Sequence, residues 1–97
     1  MKLKVVLHNI RSTYNVGAIL RTAEGFEVEK VILSGYTPRV HDVDLLPHLR
    51  AKLDKEIHKT ALGSEQSVAW SYHETTLECV EQLREEGYRI IAIEQIE

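Results

Sequence analysis

The chain has 97 residues, 43% of them hydrophobic and 28% charged, with a net charge of −3. This composition is too apolar for a disordered chain and the length is too short for two domains, so one folded domain over residues 1–97 is predicted. No apolar run approaches the roughly 18 residues of a membrane span, and the N-terminus lacks the apolar stretch of a signal peptide, so we expect a cytoplasmic protein with no membrane partner. The single cysteine, Cys79, excludes an internal disulfide and is predicted to be a structural thiol on a helix flank.

Charge is divided unevenly along the chain. Residues 1–60 contain ten Lys and Arg against seven Asp and Glu, a net charge of +3, whereas residues 61–97 contain two against eight, a net charge of −6. A phosphate-bearing partner would therefore meet the first part of the chain, although a solvated surface has the same pattern. The overall negative charge argues against a domain that coats nucleic acid with a wholly basic surface.

The first part of the chain predicts a strand, a helix and a second strand. Residues 3–10 contain a β-branched apolar core without alternation, which is typical of a strand covered on both faces. Residues 9–15 form a polar loop, and the helix after it has either Asn15 or Ser12 as its N-cap. The apolar residues of this helix recur at helical spacing: Val16, Ile19, Leu20, Ala23 and Phe26. Residues 30–35 form the next apolar strand and complete a βαβ unit.

A long loop and a second helix follow. Residues 36–47 contain both prolines and have no clear period, so they predict a loop of unusual length with a possible function. A helix from Pro47 to a stop at Gly63 is predicted, because proline suits a first helical turn. Its apolar stripe is Leu46, Leu49, Leu53, Ile57 and Ala61. The opposite face is basic and contains Arg50, Lys52, Lys55, His58 and Lys59. That face is equally compatible with a solvated surface and with phosphate contact.

The rest of the chain predicts a strand at 67–72, a helix and a last strand at 89–94. Thr75 and Glu78 have the spacing of a capping box, and Gly87 is placed to end the helix. The buried stripe of this helix is predicted to be Leu77, Val80 and Leu83. The order βαβαβαβ predicts an α/β fold with a parallel sheet of about four strands and flanking helices. No helix follows the last strand, so it is expected either to lie at an exposed edge or to pair with something that the chain lacks.

The loop after the first strand and the helix that follows contain the strongest chemical signal. In open α/β sheets, ligands bind beyond the carboxyl ends of the strands. Gly17 and Arg21 fall on one side of the helix, and the missing Cβ of Gly17 leaves space for a ligand. A guanidinium that reaches back to a helix N-terminus makes an anion site suited to phosphate, or stabilises a developing alkoxide on a ribose hydroxyl. A surface arginine above a capped helix explains the same pattern equally well.

Other kinds of site have little support. Neither G-x-G-x-x-G nor the P-loop motif is present. The five histidines are scattered without the spacing of metal ligands, so no metal site is predicted. Ser34 and Ser64 lack the G-x-S-x-G context of a hydrolase. Asp42 and Asp44 are expected only to keep their loop soluble.

Three segments together resemble the SpoU-type (TrmH family) RNA ribose 2′-O-methyltransferases of the SPOUT superfamily. Residues 9–23 are similar to the first motif of that family, residues 30–38 to the next segment, and residues 59–65, with Val68 and Trp70, to the one after. The spacing of Asn, Gly and Arg agrees with the flanking strand and helix, which makes the match specific. The resemblance implies that the predicted sheet is the unknotted half of a SPOUT-type fold.

The resemblance also implies an activity and a set of site residues. The family transfers a methyl group from S-adenosylmethionine to a ribose 2′-hydroxyl of tRNA or rRNA. Arg21 matches the arginine that activates this hydroxyl, and Asn15 matches the neighbouring asparagine of the motif. The RNA contacts are predicted to be Asn9, Arg11, Gly17, Arg39 and Lys59. The residues expected to border the cofactor pocket are Glu94 and Gln95.

The second half of the family's fold has no counterpart in this sequence. That half contains a glycine-rich turn and an Ile-Pro…Ser-Leu-Asn segment, which form the trefoil knot, the cofactor pocket and much of the dimer interface. We therefore expect a shortened domain that is inactive and binds no S-adenosylmethionine by itself. It is also expected to self-associate, as a homodimer or a larger assembly, through its unpaired sheet edge. The alternative is a non-catalytic α/β module that binds RNA or a protein partner.

Overall fold

The apolar runs of the sequence form one parallel sheet in the computed structural model, which describes residues 3–94. The strands are β1 (Leu3–His8), β2 (Lys30–Ser34), β3 (Trp70–His73) and β4 (Arg89–Glu94). They lie in the order β3-β2-β1-β4, so β1 is an inner strand with β2 on one side and β4 on the other. The predicted α/β fold, with about four parallel strands, is confirmed.

Four helices connect and cover the strands. They are α1 (Thr13–Gly25), α2 (Pro47–Ala61), α3 (Ser64–Ser67) and α4 (Thr76–Glu85). Helices α1 and α2 pack on one face of the sheet, and α4 packs on the other. Helix α3 lies beside α1, where the Ser67 hydroxyl donates a hydrogen bond to the Glu24 carboxylate. The flanking helices predicted from the sequence are therefore present on both faces.

The core consists of two layers, one on each side of the sheet. Val5 and Leu7 of β1 pack towards α1 and α2. Val6 of β1 and Ile32 of β2 pack instead towards α4. Because consecutive side chains of a strand point to opposite faces, an unbroken apolar run is what a strand buried on both faces requires.

The connection between α2 and β3 differs from the prediction. Ser67 was expected to open a strand but ends the short helix α3, and β3 begins at Trp70. Two left-handed residues turn the chain from α2 into α3: Leu62 with a φ of 52° and Gly63 with a φ of 97°. Glycine adopts this conformation without a steric penalty, which explains Gly63 at the junction. A helix of four residues is too short to show an apolar period, so the sequence pattern could not predict α3.

The apolar stripe of α2 is buried over only half of its length. Ile57 and Ala61 are buried against α1, as predicted. Leu46 is 61% exposed, and Leu49 is exposed as well, so the first half of the predicted stripe is wrong. The physical reason is that α1 covers only the second half of α2.

The buried stripe of α4 is also shifted from the prediction. Leu83 is buried, but Leu77 is 67% exposed, and Cys79 fills the core position instead. Burial raises the pKa of the Cys79 thiol, although the positive charges of Lys4 and Lys30 oppose this effect. The cysteine is thus a buried, protonated thiol, in agreement with its predicted structural role.

The ends of α4 confirm one prediction and correct another. Thr75 occupies the N-cap position, but its side chain makes no capping hydrogen bond, so the predicted capping box with Glu78 is not formed. Gly87 follows the C-cap with a φ of 81°, and its N–H donates to the carbonyl of Arg84 at 3.1 Å. The predicted end of the helix at Gly87 is therefore correct.

The strand order creates a crevice between β1 and β4. From β1 the chain moves to β2 and β3 on one side of the sheet and then returns to β4 on the other side. Ligands of open α/β folds bind at the carboxyl ends of strands where the order reverses in this way. His8 and Glu94 lie opposite each other at these ends. Of the described strands, β4 forms one edge of the sheet, which agrees with one of the two predicted alternatives.

The described residues contain neither a membrane-crossing helix nor a cluster of metal-binding side chains. None of the helices within residues 3–94 combines the length and the hydropathy of a membrane-crossing segment. In the same part of the chain, no three side chains of the metal-binding types come close enough together to hold an ion.

Candidate functional site

Helix α1 begins earlier than an Asn15 cap would allow. Ser12 is the N-cap, since its side-chain oxygen accepts the backbone N–H of Asn15 at 3.2 Å and its carbonyl accepts the N–H of Val16 at 3.0 Å. Of the two predicted caps, Ser12 is correct, and Asn15 lies exposed in the first turn. The hydroxyl of Thr13 donates to the carboxylate of Glu56 at 2.9 Å, which fixes the start of α1 to α2.

Arg21 lies on the outer surface of α1, away from the start of the helix. It is exposed, and within residues 3–94 its guanidinium forms no hydrogen bond or ion pair. At 1.5 Å per residue, Arg21 is about 12 Å along the helix axis from Thr13. An arginine side chain does not span that distance by itself, and the predicted anion site formed by Arg21 and the N–H groups of the helix start stays a prediction. The guanidinium faces solvent.

Gly17 makes room for α2 and not for a ligand. A Cβ at this position would lie 2.1 Å from Thr60 Oγ1, 2.3 Å from the Ile57 carbonyl oxygen and 2.9 Å from the Ala61 nitrogen. The same Thr60 hydroxyl donates to the Tyr14 carbonyl at 2.7 Å, which brings the two helices together. The ligand space predicted above Gly17 is therefore wrong, because α2 occupies it. The RNA contact that the resemblance implies for Gly17 stays a prediction.

Asn9 joins the ends of β1 and β2. Its side-chain oxygen accepts the backbone N–H of Tyr36 at 3.1 Å, and its side-chain amide donates to Nε2 of His8 at 3.2 Å. The oxygen occupies the position that a Cβ of residue 35 would need, and Gly35 has a φ of 64°. Both facts require glycine there. Asn9 thus holds the turn after β2, and its contact with RNA stays a prediction.

A chain of hydrogen bonds connects β1, β2 and α4 beneath Asn9. Nδ1 of His8 donates to the Thr76 hydroxyl at 2.7 Å, which donates to the Ser34 hydroxyl at 2.6 Å. The Ser34 hydroxyl donates in turn to the carbonyl of Leu7 at 3.2 Å. Because the Thr76 hydroxyl has one hydrogen, the network places the His8 proton on Nδ1 and leaves Nε2 to accept from Asn9. Sequence analysis missed this network, because it joins residues far apart in the chain.

Thr37 fixes the loop after β1 to the loop after β2. This residue is buried, and its hydroxyl oxygen accepts the backbone N–H of Ile10 at 3.0 Å. The same hydroxyl lies 2.8 Å from the carbonyl oxygen of Ser34, to which it donates. The hydrogen bonds of Thr37 therefore connect the loop after β1 to the loop after β2.

Arg39 orders the long loop after β2. Its Nη2 donates to the carboxylates of Asp42 at 3.0 Å and Asp44 at 2.7 Å, and its guanidinium lies 4.0 Å from the centroid of the Tyr72 ring. The two aspartates, which were expected only to keep the loop soluble, therefore hold it in place. Two carboxylates already compensate the charge of Arg39, and its contact with RNA stays a prediction.

Arg11 and Tyr36 lie side by side on the exposed surface beyond the carboxyl ends of β1 and β2. Nε of Arg11 donates to the Tyr36 hydroxyl at 3.4 Å, and the guanidinium lies 5.3 Å from the ring centroid. Both residues are exposed, Tyr36 to 55%. The contact of Arg11 with RNA stays a prediction. The sequence analysis missed Tyr36, although its position directly after a strand was the available signal.

Lys59 belongs to a row of exposed lysines on the outer face of α2. The row consists of Lys52, Lys55 and Lys59, which recur at helical spacing. The acidic residues of α2 point to other partners: Asp54 accepts the backbone N–H of His41 at 2.8 Å, and Glu56 is bonded to Thr13. Arg50, which was predicted on the same face, donates to backbone carbonyls of the preceding loop. The lysines are therefore not neutralised by acids of their own helix.

The residues predicted to border the cofactor pocket lie at the end of β4 or after it. Glu94 is the last residue of β4, and Gln95 lies outside the described residues. At the crevice, His8, Ser34 and Thr76 are bonded to one another. That the chain binds no S-adenosylmethionine by itself stays a prediction.

Comparison with known proteins places this geometry in a family. The profile of the SpoU rRNA Methylase family matches residues 2–97. The crystal structure of an rRNA methyltransferase from Sinorhizobium meliloti has a TM-score of 0.65 and 22% identity, over 86% of this chain and 27% of that chain. The crystal structure of an RNA 2′-O ribose methyltransferase has a TM-score of 0.70 and 14% identity, over 96% of this chain and 39% of that chain. No curated protein matches the chain.

These matches differ in what they establish. At such low identities, the two solved structures show a shared fold, and the chain spans only 27% and 39% of their lengths. The family profile, in contrast, covers almost the whole sequence, including the segment with Asn15 and Arg21. The chain therefore belongs to the SpoU rRNA methylase family.

Proposed function

We propose that this chain is the ribose-binding half of an RNA methyltransferase, which transfers a methyl group from S-adenosylmethionine to a ribose 2′-hydroxyl of tRNA or rRNA. The observation that carries the proposal is the state of Arg21. This residue matches the hydroxyl-activating arginine of the family, and it is exposed on α1 without a carboxylate partner in the described part of the chain.

Arg21 is suited to stabilising negative charge on the ribose oxygen. A hydroxyl becomes a good nucleophile as its proton leaves, and charge then develops on the oxygen. The guanidinium stays protonated in proteins, so Arg21 acts by stabilising this charge and not by accepting the proton. An arginine already paired with a carboxylate would be less effective, which is why the exposed and unpaired state of Arg21 matters.

Asn15 and the lysine row of α2 supply further contacts to RNA. Asn15 and Arg21 are separated by about 9 Å along the helix axis, so they meet an RNA at two different points. Lys52, Lys55 and Lys59 are expected to contact phosphates, which position RNA without reading its sequence.

The activity is proposed for the complete protein and not for this chain alone. The described side chains of His8, Ser34 and Thr76 at the crevice bond to one another. We propose that the pocket is completed by segments outside residues 3–94 and that two copies associate through the edge strand β4, whose outer backbone groups can pair with another strand.

The test is methyl transfer by the full-length protein that contains this chain. Arg21→Ala is expected to lower kcat at least about a hundredfold, the effect of removing one donor to a developing oxyanion. Its unfolding midpoint should not change, because Arg21 is exposed and unbonded within residues 3–94. Lys59→Gln is expected to raise KM with little change in kcat. The substitution removes a contact with RNA that stabilises the bound substrate and the transition state equally.

Arg84→Ala is the matched control. Arg84 is also an exposed helical arginine, but it lies on α4, on the opposite face of the sheet, and kcat should stay at the wild-type value. Near-normal turnover of Arg21→Ala would refute the role of Arg21. If the wild-type protein transferred no methyl group to RNA ribose, the proposed function itself would be refuted.

A further inference from the structure

The Tyr36 ring is presented by a rigid turn at the carboxyl end of β2. The backbone N–H of Tyr36 is held by the side chain of Asn9 at 3.1 Å, and Asn9 is held by His8 at 3.2 Å. The preceding Gly35 has a left-handed φ of 64°, and no larger residue fits against Asn9. An aromatic side chain on such a turn loses little conformational entropy on binding, which favours its use as a contact.

The ring is paired with a cation and still accessible. Tyr36 is 55% exposed, and the Arg11 guanidinium lies 5.3 Å from its centroid. Tyr36 and Arg11 therefore present an exposed aromatic ring beside a positive charge.

We propose that Tyr36 and Arg11 form a stacking platform for one unpaired base of the RNA substrate, an inference that rests on the proposed function. Every base has a flat π-face that stacks on an aromatic ring, and a neighbouring arginine adds a cation–π contact or binds the adjoining phosphate. The platform lies beside the loop that begins α1, the helix that carries Asn15 and Arg21.

The platform predicts which form of RNA the protein binds. In a duplex the faces of the bases are covered by their neighbours, so only a base in a loop, a bulge or a single strand can stack on Tyr36. The lysine row of α2, in contrast, contacts phosphates of either form. Preference for unpaired RNA should therefore depend on Tyr36 and not on the lysines.

The test compares binding of two RNA probes to the full-length protein at one salt concentration. The probes are a short mixed-sequence single strand and the same strand annealed to its complement. Tyr36→Ala is expected to weaken binding of the single strand about tenfold, the loss of one base stack, and to leave duplex binding unchanged. Tyr36→Phe keeps the ring and should bind within about twofold of the wild type.

Phe26→Ala is the matched control, because Phe26 is an exposed aromatic residue, 77% accessible, at the end of α1. It should affect neither probe. The platform is refuted if Tyr36→Ala binds the single strand as tightly as the wild type, or if it weakens both probes equally. Methyl transfer by the wild-type protein, measured in parallel, separates the two proposals. If the wild type is active and Tyr36→Ala binds the single strand normally, only the platform is refuted. If Tyr36→Ala selectively loses single-strand binding but the wild type transfers no methyl group, only the methyltransferase function is refuted.

Discussion

Replacing Gly17 by alanine is expected to force α1 and α2 apart. The new methyl group would lie 2.3 Å from the Ile57 carbonyl oxygen and 2.9 Å from the Ala61 nitrogen, well inside normal contact distances. Both are backbone atoms of α2 and cannot rotate away as a side chain can. The helices must therefore separate, and the contacts of their buried side chains must loosen.

Two opposing effects set the size of the change at Gly17. Alanine is a better helix former than glycine by about 1 kcal/mol, which favours the variant. Overpacking a well-packed interface typically costs about 1–3 kcal/mol, and the upper part of that range applies when backbone has to move. We expect a net decrease of about 1–2 kcal/mol in the free energy of unfolding.

Urea unfolding, followed by fluorescence of the single tryptophan Trp70, measures this decrease as a lower midpoint at unchanged slope. Gly25→Ala is the matched control in the same helix, since a Cβ there meets no atom within 4 Å. That variant should be as stable as the wild type or gain up to about 1 kcal/mol. A Gly17→Ala protein as stable as the Gly25→Ala protein would refute the assignment of Gly17 to the helix interface.

Three further predictions concern the turn, the thiol and the sheet edge. Asn9→Ala removes the acceptor of the Tyr36 N–H and should lower the free energy of unfolding by about 0.5–1.5 kcal/mol; an unchanged urea midpoint would contradict this. Cys79 should react slowly with a thiol reagent at pH 8 in the native protein and rapidly in denaturant, because burial raises the pKa of its thiol. Rapid labelling of the native protein would contradict the buried position of this thiol. Sedimentation at increasing concentration should show self-association of the chain through β4, and a strictly monomeric profile would exclude it.

The second and fourth strands could be predicted from the sequence almost residue by residue. The last strand occupies 89–94 as predicted, and β2 ends one residue before the predicted end at Gly35. The reason is physical: a strand covered on both faces needs an unbroken apolar run, and such runs are rare elsewhere in a small domain. The sequence allowed two N-cap residues for α1, Ser12 and Asn15. The extended backbone conformation of Ser12 identifies it as the N-cap.

The roles of single side chains were harder to predict. Arg21 was correctly expected outside the core, because helical spacing alone determines this. The absence of a Cβ at Gly17, however, suits a ligand and a packed helix equally well, and only the position of α2 shows which is present. The pairing of His8 with Thr76 joins residues at opposite ends of the chain, and no local pattern contains it.

The central position of β1 has a consequence for the order in which the protein folds. Leu3 at the start of β1 pairs with Arg89, near the other end of the described chain. During synthesis, β1, α1 and β2 can assemble from contacts close in sequence, whereas the second side of β1 has no partner until β4 has emerged. Docking of β4 closes a loop that contains every other element, so it is expected to be the slow step of folding. Until β4 docks, the apolar strand β1 exposes a free edge, and another nascent chain can add its own β4 there. Strand exchange between copies is therefore the characteristic misfolding hazard of this topology.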